Sequence, residues 1–176
     1  TLVPYLAAAG ELKTKPTQHS VRTLMENGIH ANVLVTRTER HLPKDVKAKL
    51  ALFCNVRKEN VIESMDADTI YEVPFLLHEQ NFDEVVLKGL DLPTDQEPDF
   101  TVWNKFLSNH KNPKNEIEIA LVGKYVSLHD SYKSITEAFT HAAATCETNV
   151  KVRWVYSGDI TEDNVGEQLK GVSGIL

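Results

Sequence analysis

Ala31-Asn32-Val33-Leu34-Val35-Thr36-Arg37 is an apolar, β-branched run closed by a cation. A strand with one wet face alternates apolar and polar residues, whereas a parallel strand covered by helices on both faces reads as an unbroken run. This stretch therefore predicts a buried parallel strand and an α/β fold. The flanks agree. Val21, Leu24 and Met25 fall at i, i+3 and i+4 before a stop at Gly28, while Pro43 opens a segment in which Val46, Leu50 and Phe53 share a helical face. Arg37 falls at the strand's carboxyl end, where open α/β sheets bind ligands. A surface pair with Glu39 is the competing reading.

Gly10-Glu11-Leu12-Lys13-Thr14-Lys15-Pro16-Thr17-Gln18-His19-Ser20 feeds the first of these helices. Gly10 permits a bend closed to other residues, and Pro16 suits a first helical turn. The unpaired amides of that turn, the helix dipole and the Lys13 and Lys15 ammonium groups would converge on anionic oxygens, as a polyphosphate requires. A lysine-rich segment before a helix is more often a solvated turn, so spacing alone leaves both readings open. Lys49 lies on the flank of the next helix's apolar stripe, where lysines commonly reach out to water.

Val61-Ile62-Glu63-Ser64 is the next short strand and Met65-Asp66-Ala67-Asp68 its exit loop. A loop carrying Asp66 can offer a carboxylate acceptor and a backbone donor to the hydrogen-bonding edge of a ligand. Acidic loops are also common without ligands. Residues 69–90 read as two helical pieces, one begun near Pro74 and one carrying Phe82, Val85 and Val86 up to Gly89.

Asp91-Leu92-Pro93-Thr94-Asp95-Gln96-Glu97-Pro98-Asp99 cannot build a core and is a linker. Phe100, Trp103, Phe106 and Leu107 then repeat at helical spacing, followed by a polar stretch to Asn115. Glu116-Ile117-Glu118-Ile119-Ala120-Leu121-Val122-Gly123 passes from alternation to a buried run and begins a second α/β unit. A helix over 130–145 with Tyr132, Ile135, Ala138 and Phe139 inward, a strand over 150–156, a helix over 161–170 and a strand from Val172 complete it. The expected division is 1–90, 91–115 and 116–176.

A length of 176 residues with 41% apolar side chains supports a packed core, and a net charge of −6 argues against a general nucleic-acid binder. No apolar run approaches the ~20 residues needed to span a bilayer. Cys54 and Cys146 lack metal-ligand spacing and are expected to be buried bystanders in a reducing compartment. A soluble cytoplasmic protein is the expectation. Both ends read as strands cut short, so the chain is expected to be an internal piece of something longer.

The run 10–20, with Leu2-Val3-Pro4-Tyr5 before it and Ala51-Leu52-Phe53-Cys54-Asn55-Val56 after it, closely resembles the CTP synthase family, glutamine-dependent enzymes that aminate UTP. The resemblance covers nearly the whole chain and weakens in the acidic connector and the last forty or so positions. It implies the end of a parallel-sheet, P-loop-like synthetase (amidoligase) domain, then a helical linker. The first strands and helices of a class I glutamine amidotransferase domain, flavodoxin-like in fold, would follow. It further implies that Lys13, Thr14, Lys15, Pro16, Thr17, Gln18, Lys49 and Phe53 bind UTP or CTP. Arg37 would lie against the ATP adenine, with Met65, Asp66 and Ala67 also binding ATP. Gly123-Lys124-Tyr125 and Asp130-Ser131-Tyr132-Lys133-Ser134 resemble the opening of the glutaminase domain, which sets Lys124, Tyr125 and Lys133 near its glutamine and GTP regions.

The implied reaction has two halves. ATP phosphorylates the UTP 4-oxygen, and ammonia released from glutamine displaces that phosphate. The family is homotetrameric, uses Mg²⁺ and is activated by GTP; the Mg²⁺ ligands are expected outside this chain. No Gly-x-x-x-x-Gly-Lys-[Ser/Thr] loop is present, and neither Cys54 nor Cys146 has the small flanking residues of a glutaminase nucleophile. The isolated chain is therefore expected to be inactive. The competing classes are a non-catalytic nucleotide-sensing module and an assembly segment whose lysines are merely solvated.

Overall fold

In the computed structural model, which describes residues 1–176, the chain divides into two units, Thr1–Pro98 and Asp99–Leu176. The first opens with a hairpin of β1 (Tyr5–Leu6) and β2 (Glu11–Leu12), followed by α1 (Lys15–Glu26), β3 (Leu34–Thr38), α2 (Lys44–Cys54) and β4 (Val61–Met65). Two short helices follow, α3 (Val73–His78) and α4 (Phe82–Gly89).

β3 and β4 pair in parallel, from Leu34 opposite Val61 to Thr38 opposite Met65. Residues 1–3 run alongside β3: Leu2 bridges Arg37, the Val3 amide donates to the Arg37 carbonyl at 2.9 Å, and the Arg37 amide to the Thr1 carbonyl at 2.8 Å. The apolar run had suggested cover on both faces of β3. One face is fully buried through Leu34, Thr36 and Thr38, but Val35 is half-buried and Arg37 exposed. Thr36 is tolerated inside because its hydroxyl donates to the Ile62 carbonyl at 2.8 Å.

The helix boundaries follow local chemistry. Pro16 lies in the first turn of α1, whose end is a Schellman motif: Gly28, at φ +78°, donates to Met25 O at 2.9 Å, and Ile29 donates to Leu24 O at 3.2 Å. Pro43 caps α2, which ends at Asn55 in the left-handed region. Val3, Val21, Leu34, Leu42, Leu50, Ala51, Cys54 and Val61 form the core, with Met25 and Val46 at its edge. Two expected core positions fall outside it. Leu24 is exposed, and Phe53 is 61% exposed because the buried stripe of α2 is rotated towards Ala51 and Cys54. Gly89 is the last helical residue of α4 rather than its stop; the left-handed residue there is Asp91, at φ +55°.

In the second unit α5 (Thr101–Lys111) precedes β5 (Asn115–Gly123), α6 (Lys133–Thr145), β6 (Thr148–Tyr156), α7 (Val165–Gln168) and β7 (Gly174–Ile175). The three strands are parallel in the order β6-β5-β7, so the first strand is central. Ala120 and Leu121 of β5 are fully buried, while the Glu116–Lys151 and Glu118–Arg153 ion pairs line its polar start. Trp103 stacks on Phe106 along α5, and Phe106 meets His141 of α6 at 5.1 Å. The helix expected between the linker and β5 therefore packs within this unit.

Three expectations here are corrected. The helix over 161–170 is reduced to α7, because the Asn164 side chain accepts from the Thr161 amide and donates to the Asp159 carbonyl, giving the backbone a turn instead. Residues 129–132 form a separate 3₁₀ turn before α6, which lets the Tyr132 ring swing over Gly123. Cys146, expected to be buried, is exposed at the end of α6. Cys54 is buried, and burial pushes its thiol pKa up.

Candidate functional site

The parallel register sets Arg37 of β3 beside Ser64 of β4, and the chain leaving β4 turns through Asp66 and Ala67. An open cavity of about 310 Å³ results, lined by Arg37, Ser64, Met65, Asp66, Ala67, Ile70 and Val73. All four residues assigned to ATP on the resemblance, Arg37, Met65, Asp66 and Ala67, are thus brought together. Arg37 Nε donates to Asp66 Oδ1 at 3.1 Å, with both side chains more than half exposed. The cavity joins a guanidinium, a carboxylate and apolar walls, a composition suited to a flat heteroaromatic ring with a hydrogen-bonding edge.

The basic loop is held at its base by the hairpin. Leu6 pairs with Glu11 and Tyr5 with Leu12, Gly10 closes the turn at φ +65°, and the Lys13 amide donates to the Pro4 carbonyl at 2.9 Å. Arg40 lies over the Tyr5 ring at 3.7 Å and ties the hairpin to the loop after β3. Leu12 packs against the core, so Glu11 and Lys13 face the other way and form an ion pair. The hydrogen bond and charge of Lys13, aided by Lys49, hold the Glu11 carboxyl below its ordinary range.

The remaining residues of the loop divide by what their side chains do. Thr14 is buried at the start of α1, where its hydroxyl accepts from Gln18 Nε2 at 3.0 Å and makes no cap to the backbone. Thr17 is fully buried, and its hydroxyl donates to the Leu2 carbonyl at 2.8 Å. That hydroxyl serves the fold. Lys15 and Pro16 are exposed in the first turn. Gln18 and Phe53 line a broad cleft of about 540 Å³ with His19, Arg22, Met25 and Glu26. Lys49 and Phe53, four residues apart, share one flank of α2.

Glu63 orients the start of α2 and was not singled out from the sequence. Its Oε2 accepts the Leu42 amide at 2.8 Å, His41 Nδ1 lies 3.1 Å and Lys47 Nζ 3.9 Å from Oε1, and Gln80 bonds both backbone groups of Glu63 at 2.9 and 2.6 Å. Burial raises its pKa, but the Leu42 amide, His41 and Lys47 outweigh that and hold the carboxyl below its ordinary value. A glutamate in a short strand carries no sequence signal of this role, because its partners come from two other segments.

In the second unit Lys124 and Tyr125 lie just beyond the carboxyl end of β5, and Tyr125 is 64% exposed. The Tyr125 amide donates to Tyr132 Oη at 3.2 Å, and His129 stacks on Trp154 at 4.2 Å. Lys133 pairs with Glu137 at 2.7 Å along α6; that hydrogen bond and charge raise its pKa. No three His, Cys, Asp or Glu side chains are arranged to hold a metal ion, and no helix is long and apolar enough to cross a membrane.

Residues 1–92 match the family model described as CTP synthase N-terminus. The chain is also similar along its full length to proteins named CTP synthase. It is 62% identical over 176 residues to that of Flavobacterium psychrophilum, 60% to that of Flavobacterium johnsoniae and 56% to that of Cytophaga hutchinsonii, in each case over 100% of this chain and 33% of the relative. The chain thus spans about a third of the length of the curated relatives it matches. With more than half of its residues inside the family model, this chain belongs to the CTP synthase family.

Proposed function

We propose that the chain forms the nucleotide-binding middle of a CTP synthase: the end of the synthetase (amidoligase) part at 1–90, a linker at 91–115 and the start of a glutamine amidotransferase part at 116–176. The observation that carries this reading is the cavity shared by Arg37, Met65, Asp66 and Ala67. These residues come from two separate strand ends and meet in a space of the right chemistry for adenine. The guanidinium faces the ring, Met65 and Ala67 supply apolar contact, and Asp66 accepts from the exocyclic amine.

Lys13, Lys15 and Lys49 then hold the triphosphate of UTP or of the product CTP, with Thr14, Pro16, Thr17 and Gln18 shaping the turn and Phe53 beside the pyrimidine. The Thr17 hydroxyl is committed to Leu2, so its part is to keep the first turn of α1 in place. The β6-β5-β7 order, second-first-third along the chain, supports a flavodoxin-like start to the amidotransferase part. The alignment of relatives beyond residue 92 supports the same assignment. Lys124, Tyr125 and Lys133 belong to its glutamine and GTP regions.

In this reading the whole enzyme is a cytoplasmic, homotetrameric ligase of pyrimidine biosynthesis with no nucleic-acid or membrane partner. ATP activates the UTP 4-oxygen and ammonia from glutamine replaces it; GTP activates the enzyme, and Mg²⁺ is held by residues outside this chain. The present residues bind and orient nucleotides, and the 176-residue chain alone makes no CTP. Thermal unfolding of the full-length protein with and without UTP, CTP and ATP-Mg²⁺ tests this. A ligand at ~100 times its dissociation constant stabilises by about 2.7 kcal/mol. Arg37→Ala should cut the ATP shift to about half or less, and Lys13→Ala or Lys49→Ala should reduce the UTP and CTP shifts. A full-length protein whose unfolding ignores all three nucleotides would sink the proposal.

A further inference from the structure

We propose that Glu11 is an anionic placeholder in the triphosphate site, its carboxylate holding the Lys13 ammonium until a phosphate of the ligand replaces it. The proposal deepens the nucleotide reading above and rests on it. Its basis is the hairpin. Glu11 and Lys13 are two residues apart on one strand and its exit, so both side chains leave the same face, while Leu12 between them is anchored in the core. The Lys13 amide is fixed to Pro4, so neither side chain can leave the other by a slip of the backbone.

The pair is built to exchange. Its side chains are 40% and 55% exposed, and ion pairs at such sites are weak and open to competition by a multivalent anion. Lys49 also attracts the Glu11 carboxylate at longer range, so two of the three lysines assigned to the triphosphate act on one protein anion. When a ligand takes Lys13, Glu11 remains beside the phosphates as a like charge. Its repulsion scales with the number of charges the ligand brings, and it is screened by salt.

Glu11 is therefore a positioning and charge-setting residue rather than a catalytic one. Replacing it by Gln removes the competing charge and keeps the size of the side chain. The gain in affinity should grow along UMP, UDP and UTP, from about no change for UMP to roughly fivefold for UTP at low salt, and shrink at high salt. A merely structural role would weaken all three ligands alike.

Calorimetric titration of the full-length protein and its Glu11→Gln variant with UMP, UDP and UTP at low and high ionic strength decides the matter. Glu11→Ala is a second neutral variant should Gln disturb folding. Tighter UTP binding that grows with phosphate number and fades with salt supports the placeholder. Wild type binding UTP while both neutral variants bind it equally or more weakly overturns the placeholder and leaves the nucleotide reading standing. Wild type failing to bind UTP overturns both.

Discussion

Arg37 and Asp66 meet at 3.1 Å although 29 residues separate them, because β3 and β4 run in parallel and deliver both to the same end of the pair. A partly exposed pair of this kind adds little to stability, about 0.2–1 kcal/mol in typical measurements. Arg37→Ala should therefore leave the unfolding midpoint nearly unchanged while weakening ATP at least ~10-fold, the scale of a lost contact between a cation and an aromatic face. A large fall in the midpoint without ligand would show that the pair serves the fold instead.

Thr17 makes the opposite prediction. Its side chain is fully buried and its hydroxyl donates to the Leu2 carbonyl, so Thr17→Val removes that hydrogen bond at a cost of about 0.5–1.5 kcal/mol. Urea unfolding should show that loss. A Thr17→Ser variant keeps the hydroxyl and should recover much of the hydrogen-bond part.

Glu63 ties stability to acid. Its folded pKa lies below the ordinary value, because the Leu42 amide, His41 and Lys47 outweigh the opposing effect of burial. A depressed carboxyl contributes stability that is fully present above its unfolded pKa and disappears as pH falls through the folded one. Urea midpoints should therefore drop below about pH 4, and Glu63→Gln should flatten that limb. An unchanged acid limb in the variant would place the titration on other groups.

A side chain at Gly123 would have to displace the Tyr132 ring. A Cβ built there would lie 2.1 Å from Tyr132 Oη and 2.7 Å from Cζ. Gly123→Ala should cost about 1–3 kcal/mol as the ring is displaced, and in a Tyr132→Ala background the same change should cost far less. Equal penalties in the two backgrounds would refute the contact.

Much of the architecture was legible because it is local. The β3 run, the Gly28 stop, Pro16 in the first turn, Pro43 before α2 and the break from Asp91 to Asp99 each follow from the dihedral or solvation demands of a few neighbouring residues. The misses arise where distant or competing contacts decide. Phe53 has helical spacing with Leu50 yet faces outward, since the core claims Ala51 and Cys54 instead. The segment 161–170 has helical composition, yet Asn164 takes its backbone bonds for a turn.

For the candidate site, residue types and their order along the chain determined that a basic loop precedes a helix and that Arg37 and the loop from Met65 each leave the carboxyl end of a strand. Those are consequences of periodicity, glycine and proline geometry, and charge. Only the tertiary structure decided which of them share a space. The parallel register closes Arg37 onto Asp66, and the hairpin sets Glu11 against Lys13. Burial turns the Thr14 and Thr17 hydroxyls inward to satisfy other polar groups. The physical reason is that the Arg37–Asp66 and Thr17–Leu2 contacts cross many residues and have no local signature, while the short-range pairs need side chains on a face that is fixed only once Leu12 and the core have packed.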